Sequence, residues 1–308
     1  MILTLTLNPA VDVSLTTDRI IYDDRTYITS ESYQPGGKGI NVARTLQGYG
    51  AEVEAIATQG GPMGERFARL LEQVGLAATL IPVRGETRRN VAVIDEEGLT
   101  LKLDQRGAPL TAEELGRIEA VVAEKLPRAR WLTLNGSIPP GTPQDLYPRL
   151  IRLAQEHGVR TLLDTSGPAL ESGLAARPTL AKPNRPEAER LLGRTLFGES
   201  DALEGALEIL AMGPEHVALS LGGQGAVGVS GRDRLRATPP VVQNGSPIGA
   251  GDVMAATIVW KLWQGEEFAE AFVWGVAAAT VAAGRPGLGA GDPAEVASMR
   301  KKIQVREL

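Results

Sequence analysis

The sequence predicts an α/β protein: a mostly parallel central sheet flanked by helices, with a small β-sheet packed over one edge. Three observations carry this reading. Short apolar strands alternate with helical stretches along most of the chain, the pattern of parallel strands joined by helical crossovers. Two stretches, 11–34 and 86–105, break the alternation with polar, period-two runs such as Tyr27-Ile28-Thr29 and Val91-Ala92-Val93-Ile94, which read as strands off the main sheet. No Pro/Gly/Ser-rich linker sets these stretches apart, so residues 1–308 are expected to form a single domain with a flap rather than two domains.

The elements follow in order. Ile2–Leu7 alternates with Thr and reads as a strand. Gly39–Gly48 reads as a helix, Val53–Thr58 as a strand, and Met63–Val74 as a helix stopped by Gly75. Leu76–Val83 is a strand. Thr111–Lys125 is a helix whose start carries a capping box, Thr111 followed three residues later by Glu114. Trp131–Asn135 is a strand, Pro143–Glu156 a helix closed by Gly158, and Val159–Asp164 a strand. A helix near Asp201–Met212 precedes a strand at Pro214–Leu221, and Val253–Trp263 and Ala269–Ala283 are helices. Right-handed crossovers put the strand C-terminal ends on one edge, where ligands bind.

Composition narrows the function classes. Hydrophobic residues make up 43% of 308, enough for a sizeable core, but aromatics are only 4%, so aliphatic side chains must fill it. The net charge of −5, with no basic patch, argues against nucleic acid as a partner. There is no cysteine, which excludes disulfides and thiolate metal sites. The N-terminal MILTLTLNPA lacks the pattern of a signal peptide. The longest apolar runs, such as Val273–Ala283, fall short of the roughly 20 residues of a membrane span. A soluble, cytoplasmic protein with no membrane partner is expected.

Five segments have residues suited to chemistry. Gly249-Ala250-Gly251-Asp252 opens an apolar helix. Small residues let an anion approach the backbone, the helix N-terminus aims N–H groups at it, and an Asp in the first turn is placed to take a proton from a hydroxyl. In isolation Asp252 also reads as an ordinary helix cap. Gln34-Pro35-Gly36-Gly37-Lys38-Gly39-Ile40-Asn41 joins the flap to a helix and offers Lys38 and Asn41 as polar contacts, without Walker-type spacing. Asn135-Gly136-Ser137-Ile138-Pro139-Pro140-Gly141 follows a strand end. Lys182-Pro183-Asn184-Arg185-Pro186-Glu187 reads as a helix cap, and its Asn and Glu are also suited to organising waters around magnesium. Ser220-Leu221-Gly222-Gly223-Gln224-Gly225-Ala226 is a glycine loop able to wrap a phosphate. Taken singly, the glycine loops and the proline loop read as plain turns.

Their order is more specific than any one of them. Together with Asn8-Pro9-Ala10-Val11-Asp12 and Thr87-Arg88-Arg89-Asn90, these segments resemble, in order and over about residues 1–290, the ribokinase-like PfkB carbohydrate kinases. TLNPAVD with GGKGINVAR resembles the branch holding 1-phosphofructokinase, tagatose-6-phosphate kinase and the minor 6-phosphofructokinase. The resemblance implies an ATP- and Mg2+-dependent kinase of a ketohexose monophosphate. It implies Asp252 as base and Gly249, Ala250 and Gly251 as the anion hole. Asp12, Gly37, Lys38, Asn41 and Asn90 would hold the sugar, with Ser137 nearby, and Arg88 and Lys38 would clamp its phosphate. Lys182, Asn184, Ser220, Gly222, Gly223 and Gly225 would line the ATP site, with Glu187 near magnesium through water. The flap would be a lid over the sugar and the interface of a homodimer.

Fructose 1-phosphate ranks first, then fructose 6-phosphate and tagatose 6-phosphate; Lys38 leans toward the first and the third of these, because the minor 6-phosphofructokinases tend to have glycine there. The chain departs from the family pattern at Val253, where a small polar residue is usual, and at Ser246-Pro247-Ile248, whose proline deletes an N–H donor. Relatives carry a basic residue near Tyr27; here Arg25 is expected to substitute for it on the same strand face. Two other classes compete. A dinucleotide-dependent oxidoreductase should have a GxGxxG turn after the first strand, where Asn8-Pro9-Ala10 stands instead. A catalytically silent sugar-phosphate sensor on the same fold is disfavoured by the presence of Asp252 and both anion-binding segments.

Overall fold

A computed structural model of the chain describes residues 1–242, 249–285 and 289–308. Strand β1 (Ile2–Thr6) leads into a hairpin of β2 (Ala10–Thr17) and β3 (Ser30–Gly36). Helix α1 (Lys38–Gly48), β4 (Val53–Gln59), α2 (Gly61–Gln73) and β5 (Ala78–Pro82) follow, then a second hairpin of β6 (Arg88–Asp95) and β7 (Thr100–Asp104). The chain continues through α3 (Ala112–Lys125), β8 (Trp131–Asn135), α4 (Leu146–Glu156), β9 (Arg160–Asp164), α5 (Pro168–Leu174), β10 (Leu180–Ala181), α6 (Arg185–Leu192), α7 (Gly198–Ala211) and β11 (His216–Ser220). It ends with β12 (Ala226–Ser230), β13 (Arg234–Thr238), α8 (Ala250–Gln264), α9 (Phe268–Ala283), α10 (Pro293–Arg300) and β14 (Gln304–Glu307).

The main sheet has the order β14-β13-β12-β11-β10-β9-β8-β1-β4-β5. From β11 to β5 every pairing is parallel, while β12, β13 and β14 extend it antiparallel. This is the mostly parallel sheet expected. Its antiparallel end is an addition at 226–238 and 304–307: β12 is buried but joins β11 and β13 without an α-helix between, which breaks the alternation, and the exposed β14 gives no apolar run.

Both faces of the sheet are covered. Leu3, Leu5 and Leu7 point into a layer with Ile118 of α3, Leu150 of α4 and Ile209 of α7. Ile2, one residue out of phase, points the other way, among Leu46 of α1, Ile258 of α8 and Phe272 of α9. Helix α8 is apolar around most of its circumference and is correspondingly buried. Val253 is fully buried in this second layer, so the position where relatives carry a polar residue here faces the core.

A separate sheet, β3-β2-β6-β7, is the flap. Its pleat sorts residues by parity. Val11 and Val13 pack on Ile40, Phe67 and Leu71, which anchors the flap to α1 and α2. Asp12, Gln34, Asn90 and Asp104, paired across the strands, share the opposite face. The joint between flap and α1 requires glycine. An added Cβ on Gly36 would lie 2.1 Å from Asp12 Oδ2, and Gly37 holds φ +112° with Thr6 Cγ2 2.8 Å from such a Cβ.

Arg25 is not on a strand. Residues 18–29 form an irregular loop between β2 and β3, turned by a bond from the Ile21 N–H to the Thr26 hydroxyl, and Arg25 is exposed on it. The expected substitution along a strand face does not occur, because β2 ends at Thr17 and β3 begins at Ser30, so no strand register reaches Arg25. Ser246, Pro247 and Ile248 lie outside the described residues.

Candidate active site

In the sheet, β1 lies between β4 and β8, so the connections reverse direction beside β1. Ligands bind at such a switch point, outside the strand C-terminal ends. A cavity of about 170 Å³ opens there, lined by Thr6, Asn8, Lys38, Arg88, Ser137 and Glu187 among others. The turn after β8 is pinned from below: Thr165 Oγ1 donates to the Gly136 carbonyl at 2.8 Å, and the buried Tyr147 hydroxyl donates to the same carbonyl at 3.1 Å. That presents Ser137 at the rim, where its hydroxyl accepts from Asn8 Nδ2 at 3.1 Å.

Across the cavity, the flap contributes a connected polar set. Asn90 Nδ2 donates to Asp12 Oδ1 at 2.8 Å, and Arg88 Nη1 donates to Asn90 Oδ1 at 3.2 Å. Arg88 is further held by the Asn8 carbonyl, 3.2 Å from Nε, and the Gln105 carbonyl, 2.8 Å from Nη1. Burial pushes the Asp12 carboxyl up, with the Asn90 bond and the Arg88 charge only partly offsetting it. Arg89, one residue on, is exposed.

Asp252 lies in the first turn of α8, whose N-cap Gly249 has the left-handed φ of 75° that a side chain would resist. Its Oδ2 accepts from Asn41 Nδ2 of α1 at 2.7 Å, which orients the carboxylate. Burial, with the nearby Asp164 charge adding to it, lifts the Asp252 carboxyl to about 6, while Lys38 and Lys182 limit the rise.

Asp164, the last residue of β9, is the buried centre of the charge cluster. Its Oδ1 lies 2.9 Å from Lys38 Nζ and its Oδ2 3.3 Å from Lys182 Nζ. Burial alone would raise this carboxyl; the two ammonium groups outweigh it and hold the value below the ordinary one. Lys38 Nζ also reaches Glu187 Oε1 at 3.3 Å. Burial works against the Lys38 charge, but Asp164 and Glu187 override it and raise its pKa. Glu187 closes a reciprocal capping box with Asn184 at the start of α6.

A second cavity, of about 670 Å³, adjoins the N-terminus of α8. Asn184, Ser220, Gly222, Gly223 and Gly225 line one side, Ala250 and Gly251 another, and Val276 and Ala279 form an apolar wall. This suits a nucleotide: an apolar slot for a flat base and backbone N–H groups for its phosphates. Gly225 cannot be enlarged, because its φ is +90° and an added Cβ would meet the Ala237 carbonyl oxygen at 2.1 Å.

The fold thus gathers the segments singled out in the sequence around two cavities; Asp252 directly follows Ala250 and Gly251, which line the larger, and its charge acts on Lys38, which lines the smaller. Three placements differ from expectation. Lys38, expected to clamp the sugar phosphate together with Arg88, is engaged by the two carboxylates of Asp164 and Glu187, because buried carboxylates draw the nearest ammonium. Lys182 does not line the nucleotide cavity; it is buried beside the first turn of α8, with Nζ 3.6 Å from where a Gly251 Cβ would be. Arg25 lines neither cavity. Sequence reasoning missed Asp164 and Asn8. The signal for Asp164 was available: an acid as the final residue of a strand that ends on the ligand edge.

The donor set also bears on magnesium. Among the described residues no three His, Cys, Asp or Glu side chains gather to hold a metal. Asp164 and Glu187, however, already converge on one cation, the Lys38 ammonium. Two carboxylates beside a phosphate-sized space fit a hydrated Mg2+, which keeps several waters and takes the rest of its ligands from substrate.

Phosphoryl transfer asks for charge stabilisation and a positioned base, and a helix N-terminus with a buried carboxylate in its first turn is an arrangement suited to it. The class is that of phosphotransferases acting on an alcohol. Within it, the chain belongs to the pfkB family carbohydrate kinases, whose family model matches residues 6–295. It is 34% identical over 309 residues to 1-phosphofructokinase of Rhodobacter capsulatus, covering 100% of this chain and 98% of the relative. It is 31% identical over 261 residues to tagatose-6-phosphate kinase of Staphylococcus epidermidis, covering 84% of each. Among solved structures, phosphofructokinase-2 from Escherichia coli in complex with potassium superposes with a TM-score of 0.91 at 32% identity, covering 97% of this chain and 98% of that one.

Proposed function

We propose that this chain is an ATP-dependent kinase that converts a ketohexose monophosphate to the bisphosphate, with fructose 1-phosphate as the preferred acceptor. The observation that supports the reading is the placement of Arg88 and Lys38 on one small cavity, while Asp252, whose charge acts on Lys38, follows the two residues of α8 that line the nucleotide-sized cavity. A sugar phosphate carries about two negative charges near neutral pH and needs such basic groups.

In this reading Asp12, Asn90, Asn41 and Ser137 hold the sugar hydroxyls and Arg88 grips the resident phosphate. The acceptor hydroxyl gives its proton to Asp252 as its oxygen bonds to the γ-phosphorus, and the bond from that phosphorus to the bridging oxygen of ATP breaks, releasing ADP. The N–H groups of Gly249, Ala250 and Gly251 stabilise charge on the transferred group. Glu187, through water, and Asp164 hold Mg2+, which when bound neutralises charge on the nucleotide phosphates.

ADP release with MgATP should be measured against fructose 1-phosphate, fructose 6-phosphate, tagatose 6-phosphate, free fructose and ribose. A preference for fructose 1-phosphate is expected. Turnover of free sugars alone would discard the phosphate clamp, and binding of phosphosugar without any ADP release would favour the sensor reading.

The lid also carries the proposed dimer. Ile21, Tyr22, Tyr27 and Ile28 of its loop and Leu101 and Leu103 of β7 are exposed apolar side chains, a patch that a second copy would cover. Light scattering should give twice the mass of 32.6 kDa, and a monomer at micromolar concentration would remove this interface. Among the described residues no helix is long and apolar enough to cross a membrane. A cytoplasmic location is part of the proposal.

A further inference from the structure

Lys38 is shared between two demands that cannot be met together. Its ammonium sits 2.9 Å from Asp164 Oδ1 and 3.3 Å from Glu187 Oε1, the two carboxylates suited to a divalent cation. The same side chain lines the cavity that holds Arg88, where the phosphosugar would place its anionic group. One third of the side chain remains exposed, so the ammonium has room to turn toward that cavity. Lys182 is different: it is almost fully buried and fixed on Asp164 Oδ2.

We propose that Lys38 is a built-in competitor of the divalent cation. Without sugar it neutralises Asp164 and Glu187 and lowers their attraction for a metal. When a phosphosugar enters, its phosphate draws the ammonium away and the carboxylate pair becomes available. Phosphosugar and divalent cation therefore bind cooperatively, and the coupling is the same in both directions. The charges support the size of the effect. With Lys38 in place, Asp164 and Glu187 face two ammonium groups, Lys38 and Lys182; with it gone, one positive charge remains against two negative ones. This deepens the kinase reading above and rests on it for the identity of the sugar.

The test uses Mn2+ as the probe, its free concentration followed by electron paramagnetic resonance on the whole chain without nucleotide. Lys38→Met should bind Mn2+ roughly tenfold or more tightly than the unaltered protein, the scale on which groups around a metal site tune its affinity. Equal or weaker binding by the folded variant would overturn the proposal. This arm needs no sugar, so it stands or falls separately from the substrate assignment. Should Lys38→Met fail to fold, the unaltered protein decides. Adding whichever phosphosugar is turned over in the ADP assay should tighten its Mn2+ binding several-fold, after correction for Mn2+ bound by the sugar alone. No change would reject the coupling.

Discussion

Asp252→Asn should lower turnover by about 10²–10⁴-fold while leaving nucleotide affinity nearly unchanged, the range typical of a lost general base. The side chain is isosteric, so the contact with Asn41 Nδ2 can be kept through the amide oxygen and the first turn of α8 should not shift. What is lost is the ability to accept a proton. ATP would bind across the larger cavity, whose lining includes Ala250 and Gly251 but not Asp252, so its affinity should persist. Near-normal turnover in steady-state assays would remove Asp252 from the mechanism. The unaltered enzyme should show the complementary pH signature. With the Asp252 carboxyl lifted to about 6, the ionised fraction falls as pH drops below 6. The kcat/KM, which reports the ligand-free protein, should then lose about tenfold per pH unit on the acid side. An acid limb centred near the ordinary aspartate value of 3.8 would mean that burial and Asp164 do not act on the reacting carboxylate as the geometry requires.

Arg88→Ala should raise the KM for the phosphosugar by about 10–100-fold, the equivalent of one or two charge-assisted hydrogen bonds, with little effect on the KM for ATP. Arg88 is preorganised: three acceptors, the carbonyls of Asn8 and Gln105 and Asn90 Oδ1, hold its guanidinium at the cavity before any ligand arrives. Burial also lowers its pKa against the pull of Asp12 and Asp104, so the charge is only partly satisfied within the protein. An incoming phosphate would complete it. Arg88→Lys should recover only part of the affinity, because an ammonium cannot reproduce the planar fork. Equal weakening of sugar and ATP would indicate a general loosening of the flap instead.

Much of the fold was legible because its signals are local. The pleat's alternation in Ile2–Leu7, the capping box at Thr111 and the apolar circumference of α9 each depend on residues a few positions apart. Where the signal is weaker, boundaries moved: α4 begins at Leu146, three residues after the expected Pro143, because the preceding residues turn before the apolar stripe starts. Strand β10 is only Leu180–Ala181, too short to show any period, and owes its existence to pairing with β9 and β11 on either side. Antiparallel β12 to β14 are likewise set by what they lie beside, and α5 by the buried surface that it covers.

The sequence by itself determined the order of the phosphate-binding segments and the residue types they present. Tight glycine turns, a carboxylate in a helix's first turn and caps such as Asn184 with Glu187 are short-range features, so their chemistry can be read along the chain. Only the tertiary structure decided which charges meet. Lys38 and Asp164 are 126 positions apart, and Asn41 and Asp252 are 211 apart, yet the first pair closes where α1 starts beside the end of β9 and the second where α1 packs on α8. It also decided that Lys38 rests on Asp164 and Glu187, that Lys182 is buried beside the first turn of α8, and that Arg25 stays out on an exposed turn. The physical reason is that a buried carboxylate must be paired with whatever cation the fold brings within reach, and that choice is made by packing across the sheet rather than by neighbours in sequence.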